Sequence, residues 1–285
     1  MAYPTIDAPY GLKPVNLIGG QVFAGSTRMF PIQYGYATNI FNGDFVVVTR
    51  GFTTRAAVAA GTGVNQVTGI FVGCSFTNPV TKQKTFSQFW PTGTLAGDAV
   101  AYVVDDPDAV YKAAVCSATT VLASGSKSLV GRNLSMIDNA AVASSLATGN
   151  SANAVLSPVA TPVTTILPVR CVGVVEDTAY SVTGTGSSSS TTITLTGTGL
   201  SGAITNGAGV SYLAANGQVI DTGSFVANAA GYAAGATSIT IDSAIAVPGS
   251  VVAIPAASTI IFTQYPEVLV KLNLLIHGYY SSATA

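Results

Sequence analysis

The chain has 285 residues with 11 basic and 12 acidic side chains, which gives a formal net charge of −1. Charged residues make up 8% of the chain, about a third of the ~25% that is usual for soluble domains. The few Lys and Arg residues are scattered along the chain, which argues against nucleic-acid binding. A surface with so little charge is better suited to a packed assembly than to a protein that stays free in solution.

The first thirty residues predict an extended arm. Pro4, Pro9 and Pro14 recur at intervals of five, and proline fixes φ and removes a donor from a strand ladder. Two interpretations stay open: the arm lies on a neighbouring molecule, or it folds back over its own domain. The opening MAYPTIDAPYG lacks the basic start and apolar core of a signal peptide, so we expect assembly inside the cell without export.

Strands and turns account for most of the chain after residue 30. Runs such as DFVVVTR, GIFVGCSF and VRCVGVVED are apolar or β-branched, have strand length and are bounded by turn-forming residues. The only Trp, Trp90, precedes Pro91 and is expected in the core. Cys74, Cys116 and Cys171 each lie in an apolar run, so we expect buried small hydrophobes rather than metal ligands.

The segment DDPD contains Asp105, Asp106 and Asp108, a quarter of the acidic residues of the chain. Asp favours the start of a turn and Pro suits the second position of a type I turn. The segment therefore predicts a turn between the strands AVAYVV and AVYKAAV. A cation site is the alternative, because three carboxylates begin the set of about six to eight oxygens that Ca²⁺ requires.

An Ala-, Ser- and Asn-rich stretch, Ser117–Thr165, predicts a long loop excursion. Within it, Ser135–Ala147 is the one segment that we expect to form a helix.

The composition changes from Thr178 to Pro266, where only Asp221 and Asp242 carry charge. Thr alternates with Ile and Leu in TTITLT, which predicts strands with one buried face. We interpret 178–264 as a small β-domain inserted into a parent domain, with its two ends close together. A flexible low-complexity loop is the alternative.

Signatures of catalysis are weak in this sequence. GTGLSG matches the dinucleotide-binding G-x-G-x-x-G, with Asp221 about twenty residues on, but the following AITNGAGVSYL is rich in turn residues and lacks the helix that would meet a pyrophosphate. A His base would depend on His277 alone. The remaining enzymatic alternative is a glycan hydrolase, in which Glu176 and Glu267 would form the required pair of carboxylates. We expect no catalytic residue, no metal and no cofactor.

Seven segments occur in this order: DAPYGLKPVNLIGG, AGSTRMFPI, NIFNGDFVVV, GIFVGCSF, FWPTGT, GDAVAYVVDDPDAVYKA and VLVKLN. Together they resemble the head decoration, or cement, proteins of tailed phages. The resemblance implies a β-sandwich or jelly-roll-like parent domain that binds the outside of the capsid across neighbouring major-capsid subunits, commonly as a trimer. The inserted residues depart from the shorter pattern of that family.

The sequence therefore predicts an all-β fold in three parts. These are an N-terminal extended arm (1–30), a β-sandwich or jelly-roll-like main domain (31–177 and 265–285) and a small inserted β-domain (178–264). We expect the arm to contact a partner, and the predicted partner-binding residues are Tyr3, Pro4, Pro9, Tyr10, Leu12 and Pro14.

The resemblance implies a virion structural protein on the outer capsid surface, assembled in the host cytoplasm, that stabilises the expanded shell. Its expected partners are the major capsid protein and copies of itself in a homotrimer, with neither nucleic acid nor a membrane. The alternative is another virion β-protein, a head fibre, tail or host-binding component, whose insert contacts the host surface or glycans.

Overall fold

The computed structural model describes residues 6–18, 20–56, 58, 66–116, 123–138, 143–156, 167–228, 230–242, 253–273 and 277. Within these residues the chain is all-β, and its helical structure is limited to the 3₁₀ turns Lys127–Leu129 and Glu176–Thr178. No helix in the described part of the chain is long and apolar enough to cross a membrane.

The strands, in chain order, are β1 (Lys13–Leu17), β2 (Arg28–Pro31), β3 (Phe45–Thr49), β4 (Phe52–Arg55), β5 (Gly69–Thr77), β6 (Lys84–Ser87), β7 (Val100–Val104), β8 (Ala109–Cys116), β9 (Asn133–Leu134), β10 (Met136–Asp138), β11 (Asn153–Leu156), β12 (Val169–Val174), β13 (Tyr180–Ser188), β14 (Thr192–Thr196), β15 (Gly209–Leu213), β16 (Val219–Phe225), β17 (Ser238–Thr240), β18 (Ile254–Gln264) and β19 (Glu267–Leu272).

The chain divides into two compact units. The main unit consists of the described residues of Ile6–Leu122, Gly131–Val172 and Val268–Ala285, and the insert unit contains Ala123–Val130 and Gly173–Glu267. The insert that the sequence predicts, 178–264, lies within the second range of the insert unit. Ala123–Val130, which the sequence-based division assigns to the main domain, belongs to the insert unit instead.

Two sheets give the main unit its sandwich-like architecture. The first sheet has the strand order β10-β11-β8-β19-β12-β9, with β1 beside β8, and the second has the order β2-β7-β5-β3-β4, with β6 beside β5. Trp90 is fully buried in the core of the second sheet, as predicted, and its ring meets that of Phe76 edge-on at 5.4 Å between centroids. All three cysteines are buried and none is in a disulfide, which confirms that they pack in the interior as predicted.

The N-terminal segment is extended and pairs with strands of its own unit. β1 runs antiparallel to β8, and β2 runs antiparallel to β7. Of the two interpretations of the arm, the described residues show the one in which it folds back over its own domain.

The DDPD segment forms the predicted turn, and Asp106 Oδ1 accepts the backbone N–H of Asp108 at 2.8 Å. It does not close a hairpin, because β7 lies in the second sheet and β8 in the first. Arg28 pairs with Asp105 at 3.0 Å, and Lys271 pairs with Asp108 at 3.1 Å. Two of the three carboxylates therefore hold strands of both sheets to the crossover between them.

The helix predicted over Ser135–Ala147 is wrong. Met136–Asp138 is β10, which runs antiparallel to β11, and residues 139–142 lie outside the described residues. Met136 and Ile137 are buried in this pairing. Ser, Asn and β-branched Ile are weak helix formers, so burial against a neighbouring strand decides the local structure.

The insert unit is one six-stranded sheet with the order β16-β15-β18-β13-β14-β17. The predicted alternation is confirmed in β14, where Ile193 and Leu195 are buried and the Thr residues between and beside them are not. Its core consists of the apolar residues on that face, including Val210, Ile260 and Phe262. GTGLSG is a turn after β14, as the sequence predicts.

Candidate functional site

The predicted partner-binding residues differ in their exposure. Leu12 has no exposed surface and Pro9 is buried, whereas Tyr10 and Pro14 are half-buried. Tyr3 and Pro4 lie outside the described residues. Leu12 and Pro9 therefore anchor the segment in its own unit and are not available to a partner in the folded chain.

Exposed apolar residues come directly after these anchors. Val15, Ile18 and Val22 expose 46%, 48% and 82% of their surface. Val15 is the extra residue of a β-bulge, where the pairing of β1 with β8 shifts by one position. Val22 forms an antiparallel bridge with Asn16 in the hairpin after β1. We call Val15, Ile18 and Val22 the N-terminal apolar surface; sequence reasoning missed these residues.

A buried ionic cluster joins the two sheets of the main unit. Asp44, just before β3, has no exposed surface, and its Oδ2 lies 2.9 Å from Nε of Arg55 on β4. Arg55 Nη2 also reaches Asp138 Oδ2 on β10 at 2.8 Å. Ser151 Oγ and Asn153 Nδ2 donate to Asp44 Oδ1 at 2.5 and 3.1 Å. Such close pairing is what allows a charge to stay buried.

Lys13 forms a second polar contact across the main unit. Its Nζ donates to Asn42 Oδ1 at 2.7 Å and to Asn150 Oδ1 at 2.8 Å. Burial lowers the pKa of Lys13 to about 8, and the negative charge of Asp44 opposes that shift. Burial also raises the pKa of the Asp44 carboxyl, against the effect of the Arg55 guanidinium. The hydrogen bonds and ion pairs of these groups lie inside the main unit and stabilise its fold.

The insert unit carries a cleft of about 140 Å³ on the face of the sheet opposite its core. Its lining residues are Lys127, Gly209, Ser211, Asp221, Gly223, Phe225, Thr263 and Tyr265. The strand register places Gly209 between Phe225 and Thr263, and Ser211 beside Asp221. These positions alternate with the core positions of the same strands, as the two faces of a sheet require.

The charges at the cleft are fixed by local contacts. Lys127 Nζ lies 3.2 Å from Glu176 Oε1 and 6.0 Å from the centroid of the Tyr265 ring. The hydrogen bond to Glu176 raises the pKa of Lys127, and burial raises the pKa of the Tyr265 phenol. Lys127 is therefore a cation and Tyr265 is neutral at physiological pH. Asp221 is exposed, and its Oδ1 accepts the backbone N–H of Gly223 at 2.9 Å.

The candidate catalytic groups Glu176, Glu267 and His277 differ in exposure and in their partners. Glu176 is exposed and paired with Lys127, whereas Glu267 exposes only 1% of its surface. His277 is buried beside the Asp105 carbonyl, and burial lowers its pKa. Among the described residues, no group of three or more His, Cys, Asp and Glu side chains is placed to hold a metal ion.

No protein-family profile, curated protein or solved structure matches the chain.

Proposed function

We propose that the protein is a head decoration protein of a tailed phage. It binds the outside of the expanded capsid as a homotrimer and stabilises the shell across neighbouring major-capsid subunits. All seven segments that resemble this family lie in the main unit. The low charge of the chain supports the same proposal, because a surface of this kind gains more from packing against a shell than from staying free in solution.

The N-terminal apolar surface is the observation that carries this proposal. Val15, Ile18 and Val22 are exposed on a segment whose inner side is anchored by the fully buried Leu12. The segment is therefore held in place before binding, which reduces the entropy lost on association. Fully burying an apolar side chain of this size contributes about 1.5–3 kcal/mol.

Binding of this kind stabilises a capsid through mass action. A protein that binds the expanded shell and not its disassembled subunits shifts the equilibrium toward the intact shell. Since charged residues make up only 8% of the chain, attachment through this surface is expected to change little with ionic strength.

Co-sedimentation with capsids tests the proposal. Labelled protein is mixed with expanded capsids of its source phage from which the decoration protein has been stripped, and bound protein is measured against concentration. We expect saturable binding that Val22→Ser weakens by roughly tenfold, because the lost burial is worth about 1.4 kcal/mol or more.

Val80→Ser is the matched control, because Val80 is 85% exposed and lies in the β5–β6 connection. This variant should bind as the wild type does. Absence of saturable binding by the wild type, or equal losses in the two variants, would contradict the proposal.

A second candidate function is that of a head fibre, tail or host-binding component. The cleft of the insert unit favours it, since concave sites that combine aromatic side chains with a few polar groups are where ligands bind. Immunogold labelling of virions separates the two candidates. Label on the head supports decoration, and label confined to the tail supports the second function.

A further inference from the structure

We propose that the cleft of the insert unit binds one neutral pyranose ring of a glycan. This inference rests on the second candidate function, host contact through the insert, and deepens it by naming the site and the ligand class. It does not depend on capsid attachment, because the residues that line the cleft belong to the insert unit.

The size and floor of the cleft fit a single ring. Its volume of about 140 Å³ is below the ~300–1,000 Å³ of sites for drug-sized ligands. Gly209 and Gly223 form part of the floor without side chains. Gly223 has φ +67°, a conformation that favours glycine, at the register shift between β15 and β16.

Both kinds of group that a sugar requires converge on this cleft. A pyranose presents C–H groups on its faces and hydroxyls around its edge. Phe225 is half-buried and supplies aromatic surface for the C–H groups, whereas Tyr265 exposes 5% of its surface and adds only a small area at the edge of the cleft. The Asp221 carboxylate and the hydroxyls of Ser211 and Thr263 supply acceptors and donors for the edge.

The charges favour a neutral sugar over an acidic one. Among the described residues of the lining, Lys127 is the one cation, and Glu176 already pairs with it at 3.2 Å. Asp221 adds a second carboxylate to the same site. An anionic sugar would therefore meet more negative than positive charge, which opposes its binding.

Two variants with a matched control test the site. Asp221→Asn removes the charged acceptor while keeping the side-chain shape. Gly209→Ala fills the floor, and its Cβ would lie 3.8 Å from the Thr263 carbonyl oxygen and 3.9 Å from Phe225 Cε1. Those are ordinary contact distances, so the fold should be kept. Asp177→Asn is the control, because Asp177 is exposed and does not line the cleft.

The measurement is saturation-transfer NMR and calorimetry on the full chain. The probes are the methyl pyranosides of glucose, galactose, mannose and N-acetylglucosamine, with the methyl glycoside of sialic acid as the anionic comparison. We expect at least one neutral probe to bind with a Kd of about 1 mM. Each cleft variant should weaken that binding at least tenfold, and the control should leave it unchanged.

Three results would overturn the proposal: no neutral probe binds the wild type, both cleft variants bind it normally, or the sialoside binds more tightly than every neutral probe. Sugar binding by a protein that fails to attach to capsids would count against the decoration role alone. Capsid attachment without sugar binding would count against the cleft alone.

Discussion

Removal of the Arg55 guanidinium should destabilise the main unit far more than removal of an exposed cation. In Arg55→Met the Asp44 carboxylate stays fully buried and loses a counter-charge that lies 2.9 Å away. Breaking a buried pair in this way costs about 3–5 kcal/mol, because one charge is left buried and uncompensated. With a urea m-value of about 2 kcal/mol/M, the midpoint of unfolding should fall by roughly 1.5–2.5 M.

Urea unfolding followed by Trp90 fluorescence is the assay, since the only Trp of the chain is buried in the main unit. Lys84→Met is the matched control. Lys84 and Asp98 also form a close pair, at 3.0 Å, but both side chains are about half exposed. Loss of such a surface pair costs only about 0–1 kcal/mol. Similar midpoints for the two variants would refute the assignment of a buried, stabilising charge pair.

The pH dependence of Arg55→Met gives a second check of the same reasoning. Burial raises the pKa of Asp44, and removal of Arg55 takes away the positive charge that opposes that rise. As the pH falls through the raised pKa, the folded variant takes up a proton that the unfolded chain does not bind. The difference in the free energy of unfolding between wild type and Arg55→Met should therefore become smaller as the pH falls. A difference that stays constant with pH would indicate that the variant loses packing instead.

Three further variants probe the main unit by the same fluorescence assay. Gly69→Ala should lower the free energy of unfolding by about 2 kcal/mol or more, because its Cβ would lie 2.2 Å from the Val104 carbonyl oxygen. Gly97→Ala is the control and should change that free energy by less than about 0.5 kcal/mol, because the space around Gly97 is open. Equal effects of the two variants would contradict this prediction. Burial lowers the pKa of Lys13 from 10.5 to about 8. Between these two pH values Lys13 is protonated more fully in the unfolded chain than in the folded one, so the free energy of unfolding rises with pH. Lys13→Met lacks this group, and wild type should therefore gain stability relative to that variant as the pH rises through this range. A constant difference between the two would argue against that shift.

Local patterns predicted the parts of the structure that local physics decides. The Thr alternation around Ile193 and Leu195 predicted a strand with one buried face, because side chains alternate between the faces of any strand. DDPD predicted a turn, because Asp and Pro favour its backbone conformation whatever the flanking strands pair with. Trp90 is buried for a similarly general reason, the large apolar area of its ring.

Long-range pairing decided what the sequence could not predict. Nothing near DDPD indicates that β7 and β8 belong to different sheets, and nothing within Ala123–Val130 indicates that it joins the insert unit. The buried ionic cluster did have a signal, because Asp44 interrupts the apolar run NIFNGDFVVV and a buried Asp requires partners. Its partners Arg55 and Ser151 are distant enough in the chain that only the fold identifies them.

The exposed residues of the candidate surfaces also depend on long-range structure that the sequence does not predict. Proline spacing correctly indicated an extended N-terminal segment, but it directed attention to Pro9 and Leu12, which the fold buries. Exposure of Val15 and Val22 depends on a bulge and a hairpin that have no clear sequence pattern. In the sequence, Asp221 stands where a nucleotide-binding motif would have its acidic residue. In the fold it lines a cleft together with residues of β15 and β18.

A side-chain-resolution reconstruction of the virion tests the central claim most directly. We predict density for the main unit on the outer surface of the head, in sets of three, with Val15, Ile18 and Val22 covered by major-capsid subunits. A head surface without this chain, or with the N-terminal apolar surface facing solvent, would contradict the decoration role.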